Sequence, residues 1–96
     1  MARKPILDAL DLLGKRGAMR IVWALRKERL TFRALVEASE SNPSTVNTRL
    51  RELRAAGVVD LGGGYGLTAR GQALVVILKP LRAWAKAPTG PKPKSS

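Results

Sequence analysis

The segment from Asn42 to Gly57 constrains the fold most, because it is a helix whose two ends are both marked in the sequence. Asn42 suits the N-cap and Pro43 the first helical position, and Gly57 is typical of the residue that follows a helix. Between these ends, apolar residues at three- and four-residue spacing form one stripe: Val46, Leu50 and Leu53. The sequence therefore predicts a helix over residues 43–56 that buries one face and leaves the opposite face polar.

Three shorter helices are predicted before it. The first spans residues 6–13, ends at Gly14 and carries the apolar residues Ile6, Leu7, Leu10, Leu12 and Leu13. The second spans residues 18–27, with Met19, Val22, Trp23 and Leu25 at helical spacing. The third follows the predicted N-cap Thr31, carries Phe32, Leu35 and Val36, and ends at residues 39–41.

A hairpin and a long helix are predicted after it. Val58, Val59 and Leu61 indicate a strand, residues 62–64 (Gly-Gly-Gly) a tight reversal, and residues 65–67 the return strand. Thr68 is the predicted cap of a helix over residues 69–86, in which Pro80 indicates a kink rather than an end. We expect residues 87–96 to form a disordered basic tail.

The order of elements predicts one mainly α domain over residues 1–86, a winged helix-turn-helix with five helices and a two-stranded wing.

The charge of the chain indicates a polyanionic partner. Among 96 residues, 18 are Lys or Arg and 7 are Asp or Glu, which gives a net charge of +11. Double-stranded DNA is the first expectation and an anionic membrane surface the second. The longest uncharged apolar stretch, residues 73–78, is too short to span a bilayer, so we expect a cytoplasmic protein that does not insert into membranes.

Several function classes are excluded by composition. Cys and His are both absent, which removes disulfides, thiol redox chemistry, Cys- or His-based zinc sites and the commonest general base. The seven carboxylates are scattered, and no Gly-rich phosphate cradle follows a strand. We therefore expect neither catalysis nor a cofactor or metal.

Three segments together resemble the HxlR-type branch of the MarR-like winged-helix transcription regulators. These are residues 42–59, residues 30–35 and residues 65–71, and the resemblance extends over about residues 10–86. It implies a homodimer that binds a pseudo-palindromic operator. Two departures stand out: Gly17 occupies a position where the family usually has Trp, and the wing is shorter and has no Lys or Arg at its tip. Many members sense electrophiles through a Cys, and this chain has no Cys for that function. The sequence identifies no other small-molecule effector.

The outward face of helix 43–56 is the predicted DNA-reading surface. A rotation of 100° per residue from the apolar stripe directs Ser44, Thr48, Arg51 and Ala55 away from the core, with Thr45 and Asn47 beside them. Base contacts are expected from Ser44, Thr45, Asn47 and Thr48, and mixed base or phosphate contacts from Arg49 and Arg51. Phosphate contacts are expected from Lys15, Arg16 and Arg20.

The apolar residues of the last helix cover more than one stripe, so we expect this helix to face both its own core and a symmetric copy, with the first helix beside it. The predicted dimer-interface residues are Ile6, Leu7, Leu10, Leu78, Leu81 and Trp84. For Trp23 and Trp84 a packing role is favoured over the lining of an effector cavity.

Two alternatives to a sequence-specific regulator remain open from sequence. Residues 1–29 hold 8 basic and 3 acidic residues, residues 69–96 hold 6 and 0, and residues 30–68 hold 4 of each. Charge concentrated in the flanks also suits a sequence-tolerant architectural DNA binder. The neutral middle suits a winged helix that binds an acidic protein.

Overall fold

Five helices and a two-stranded antiparallel hairpin make up the computed structural model, which describes residues 4–87. The elements are α1 (Pro5–Leu13), α2 (Ala18–Ala24), α3 (Phe32–Ser39), α4 (Pro43–Ala55), β1 (Val59–Leu61), β2 (Tyr65–Leu67) and α5 (Ala69–Lys86). The predicted fold class, a mainly α winged helix-turn-helix, is confirmed. Apart from Ala87, the predicted disordered tail lies outside the described residues.

The N-termini of α3, α4 and α5 are fixed by side chains, as predicted. The side-chain oxygens of Thr31, Asn42 and Thr68 accept hydrogen bonds from the backbone N–H three residues later, at 3.1, 2.8 and 3.1 Å. Each such bond satisfies a backbone donor that the first helical turn leaves unpaired. At the other end of α4, Gly57 adopts a φ of +77°, a left-handed conformation that glycine adopts without strain.

The core is built around α2 and the buried stripe of α4. Ile21, Val46 and Leu53 are completely buried there. The other members of the cluster are Val22, Leu25, Leu35, Leu50, Val58, Val59, Val75 and Leu78. Burial of one such side chain stabilises the fold by about 1.5–3 kcal/mol, so this cluster fixes how α4 is seated.

The predicted end of α2 is wrong by three residues, because the helix ends at Ala24 rather than at residue 27. The backbone N–H of Arg26 bonds to the carbonyl of Trp23 at 3.2 Å, which tightens the chain into a turn. This turn carries Leu30 to the hairpin, where its N–H and C=O bond to the backbone of Tyr65 at 3.0 and 2.8 Å. The tertiary pairing at Leu30 therefore sets the helix end.

The hairpin is short. Its register pairs Val59 with Leu67, Asp60 with Gly66, and Leu61 with Tyr65. The observed strand starts one residue later than predicted, because Val58 bonds instead to the carbonyl of Leu53 and to the N–H of Thr68. The reversal through residues 62–64 needs glycine at its last two positions, where φ is +68° and +103°.

The last helix, α5, does not end at Pro80 but continues to Lys86. Val75 and Leu78 on one of its faces lie in the core. Neither α5 nor any other helix within residues 4–87 has the length and apolar character needed to cross a membrane.

Candidate nucleic-acid interface

The exposed face of α4 carries small polar and basic side chains. Ser44, Asn47, Arg51 and Ala55 are exposed, and Thr45 and Thr48 are half-buried. This face lies opposite the buried stripe, as the sequence predicts. Arg54 is also exposed beside it and was not among the predicted site residues, although its position seven residues after Asn47 places both on one side of the helix.

Arg49 lies between the helix and its neighbours rather than on the exposed face. Its side chain is 18% exposed, and its Nη1 donates to Oε1 of Glu52 at 2.5 Å. Its Nε donates to the backbone carbonyl of Arg16 at 2.9 Å. Arg49 is thus bound to the turn between α1 and α2. The sequence predicts a base or phosphate contact for Arg49 and does not predict this contact within the chain.

Lys15 takes part in the same network. Its Nζ lies 3.0 Å from Oε2 of Glu52, so this carboxylate joins Lys15 to Arg49. The hydrogen bond from Lys15 and, second, that from Arg49 lower the pKa of the Glu52 carboxyl below its usual value. Two of the cations that the sequence assigns to DNA are therefore engaged within the chain and fasten the α1–α2 turn to α4.

The backbone conformation at Gly17 explains why this chain has glycine where the family usually has tryptophan. It precedes α2 with a φ of +86°, a conformation that a tryptophan at this position would adopt only under strain. A Cβ atom there would also lie 3.3 Å from Oγ of Ser41 and 3.4 Å from Cγ2 of Thr45. Glycine therefore permits the α1–α2 turn to pack against the start of α4, and this contact half-covers Thr45.

An open polar cleft lies beside the N-terminus of α4. Arg16 and Arg20 line it together with Asn42 and Thr45. The structure thus brings two of the three predicted phosphate-contact residues, Arg16 and Arg20, next to α4, while Lys15 is paired with Glu52.

Most of the predicted dimer-interface residues are exposed in the single chain. The exposed fractions are 59% for Ile6, 44% for Leu7, 57% for Leu10, 46% for Leu81 and 75% for Trp84. Leu78 is instead 4% exposed in the core of the chain itself, so it has little surface to offer a second copy. Val76 and Ile77, which are not among the predicted interface residues, are 69% and 64% exposed on α5.

Trp23 packs against the core and also lines an open cleft together with Met19 and Leu81. The guanidinium carbons of Arg26 and Arg82 lie 4.2 and 4.1 Å from the centre of its ring, and the ring packs against the core. These cation–π contacts join α5 to the end of α2.

Known proteins share this architecture. A family model for winged helix-turn-helix DNA-binding matches residues 19–60, and no curated protein sequence matches the chain. Quinone-bound YodB from B. subtilis superposes with a TM-score of 0.77 at 29% identity, covering 83% of this chain and 93% of that one. The reduced form of that transcriptional regulator gives 0.78 at 25% identity, with 97% and 100% covered.

A further similar structure is the MarR family protein Rv2887 of Mycobacterium tuberculosis, with a TM-score of 0.59 at 31% identity, covering 88% of this chain and 70% of that one. The family match covers α4, and the structural matches extend over most of the chain. The chain therefore belongs to the MarR-like winged helix-turn-helix proteins and is a DNA-binding transcription regulator.

Proposed function

We propose that the chain is a homodimeric, sequence-specific repressor of the HxlR type that reads the major groove of double-stranded DNA with α4. The observation that carries this proposal is the exposed polar face of α4, held by a capped N-terminus and by three buried residues on the opposite side. A helix fixed in this way presents its side chains to base edges at low entropic cost.

Base reading is assigned to the N-terminal half of the exposed face. Ser44 and Thr48 are small enough to let the helix approach the groove floor, and Asn47 can pair with both polar atoms of an adenine edge. Arg51 follows one turn later, where its guanidinium can reach a guanine or a phosphate. Thr45, half-covered by the α1–α2 turn, is a shoulder contact.

Phosphate contact is assigned to Arg16 and Arg20, which line the cleft beside the reading helix. Lys15 and Arg49 are not assigned a DNA contact, because Glu52 already pairs with both. Their role is to hold the α1–α2 turn, and with it Arg16, against α4.

The homodimer is supported by the apolar residues exposed on α1 and α5. Ile6, Leu10, Ile77 and Trp84 each expose more than half of their surface in the single chain. Several large apolar side chains exposed on a small domain are typical of a protein interface. Two copies joined about a two-fold axis would present two α4 helices to one operator.

Competition binding tests the proposal. A labelled duplex selected from a random pool by the full chain is challenged with unlabelled selected or random duplex over a range of salt concentrations. We expect the selected duplex to compete at least tenfold better, and the paired substitution Asn47→Ala and Arg51→Ala to abolish the difference. Equal competition by both duplexes at every salt concentration would contradict sequence reading and favour an architectural DNA binder.

A further inference from the structure

The side chain of Arg29 contacts the wing at two residues, Asp60 and Gly64. It lies in the turn between α2 and α3, directly before Leu30, which pairs with Tyr65. Its Nε and Nη2 both donate to the carbonyl of Gly64, at 3.2 and 2.9 Å, and Nη2 also pairs with the Asp60 carboxylate. One guanidinium from outside the hairpin therefore contacts β1 and the reversal at the same time.

Gly66 leaves room for this guanidinium in the hairpin. A Cβ atom at Gly66 would lie 2.5 Å from Nη1 and 2.7 Å from Cζ of Arg29, closer than real side chains approach. Gly66 stands opposite Asp60 in the register of the hairpin. The glycine leaves space for the guanidinium and the aspartate partner fixes its orientation, so both residues serve the placement of Arg29.

The wing has no basic residue of its own. Residues 58–67 contain neither Lys nor Arg, and their one charged residue is Asp60. Arg29 is 39% exposed, and within the part of the chain that the structure describes its Nη1 donates no hydrogen bond. The guanidinium thus has one edge bound to the hairpin and donors left for an oxygen ligand.

The ion pair lies next to the exposed side of α4. Asp60 lines a surface cleft together with Arg51, Arg54 and Leu61. Arg51 belongs to the proposed reading face, so Asp60 borders the surface assigned to DNA, and Arg29 is joined to this border by its ion pair with Asp60. A phosphate oxygen beside this border would meet a guanidinium already oriented by Gly64 and Asp60.

We propose that Arg29 is a DNA-phosphate contact, which the shortened wing obtains from the α2–α3 turn rather than from its own tip. This inference rests on the proposed DNA-reading function. A guanidinium is suited to it because its donors can serve a carboxylate on one edge and a phosphate on another. The contact carries no sequence information, so it strengthens binding to any duplex.

The test compares three variants of the full chain, Arg29→Gln, Arg29→Lys and Lys79→Gln, by their affinity for a selected and a random duplex over a range of salt concentrations. Lys79 is an exposed lysine of α5 and serves as the control for the loss of one positive charge. For Arg29→Gln we expect weaker binding to both duplexes, and a logarithmic salt slope smaller by about 0.9. Arg29→Lys keeps the charge, so its slope should match the wild type, as should that of Lys79→Gln.

An unchanged slope for Arg29→Gln would overturn the inference and leave Arg29 a purely structural residue of the wing. Thermal unfolding of each variant accompanies the binding data. If Arg29→Gln is unfolded at the assay temperature, Arg29→Lys decides, because a smaller slope in a variant that retains the charge would contradict the proposed phosphate contact. Failure of the wild type to bind any duplex would instead overturn the proposed function itself.

Discussion

The helices α4 and α1 differ in how far one chain stabilises them. α4 buries Val46, Leu50 and Leu53 and has a side-chain cap at Asn42. α1, over Pro5–Leu13, has no buried residue and no side-chain cap at its N-terminus. All the contacts that hold α4 therefore lie within one chain, whereas α1 has an apolar face that one chain leaves exposed. The difference teaches that the proposed reading face and the proposed dimer surface lie on separate helices, which substitutions can alter one at a time.

The largest effect is expected from the core beneath α4. Leu53→Ala removes a fully buried side chain, and the cavity that remains should lower the free energy of unfolding by about 2–5 kcal/mol. Leu10→Ala, on the exposed face of α1, is the matched control and should cost far less at a protein concentration where the chain is monomeric. Urea unfolding of both variants measures the difference, and equal losses would contradict the proposed division between the two helices.

The next effect is expected on the reading face. Asn47→Ala should weaken binding to a selected duplex by about 1–3 kcal/mol and leave binding to random duplex unchanged, because it removes a base contact. Arg20→Ala should weaken binding to both duplexes alike, because it removes a phosphate contact. Fluorescence anisotropy of labelled duplexes distinguishes the two, and a uniform loss with Asn47→Ala would show that α4 does not read bases.

A smaller effect is expected on self-association. The paired substitution Ile6→Ser and Leu10→Ser removes exposed apolar surface from α1 and should raise the dimer dissociation constant about tenfold or more, equivalent to about 1.4 kcal/mol. Sedimentation equilibrium measures this constant, with Met19→Ser, an exposed apolar residue of α2, as the control. If α1 does not contribute to the interface, the paired variant and the control will dimerise equally.

The smallest effect concerns the network at Glu52. Because the pKa of this carboxyl is lowered in the folded chain, its pairing stabilises the fold above the ordinary glutamate pKa, and this contribution is lost as the pH falls through the lowered value. Glu52→Gln should therefore be less stable than the wild type at pH 7 and approach it in acid. Thermal unfolding from pH 7 to pH 3 measures the convergence, and Lys15→Gln should reproduce part of the loss at pH 7. Parallel curves for Glu52→Gln and the wild type would show that the network contributes nothing.

Features fixed by local sequence could be predicted, and features fixed by tertiary contacts could not. The ends of α4 were predicted to within one residue because Asn42, Pro43 and Gly57 act locally. The end of α2 was missed because Leu30 is held by Tyr65, a residue 35 positions away.

The same distinction applies to the site. A helical projection gives the direction of each side chain on α4, which placed Ser44 and Asn47 correctly on the exposed side. It does not show where a long side chain ends, so the contacts of Arg49 with Arg16 and Glu52 were not predicted. On α5, apolar residues cover so much of the circumference that sequence could not assign Leu78 to the core.

Hydroxyl-radical footprinting of the wild-type chain on a selected duplex tests the central claim most directly, because it shows how many reading helices meet the DNA and at what spacing. Two α4 helices related by a two-fold axis predict two protected stretches on one face of the duplex, with centres about 10–10.5 base pairs apart or a multiple of that distance. Protection of a single stretch, or uniform protection along the whole duplex, would contradict the account.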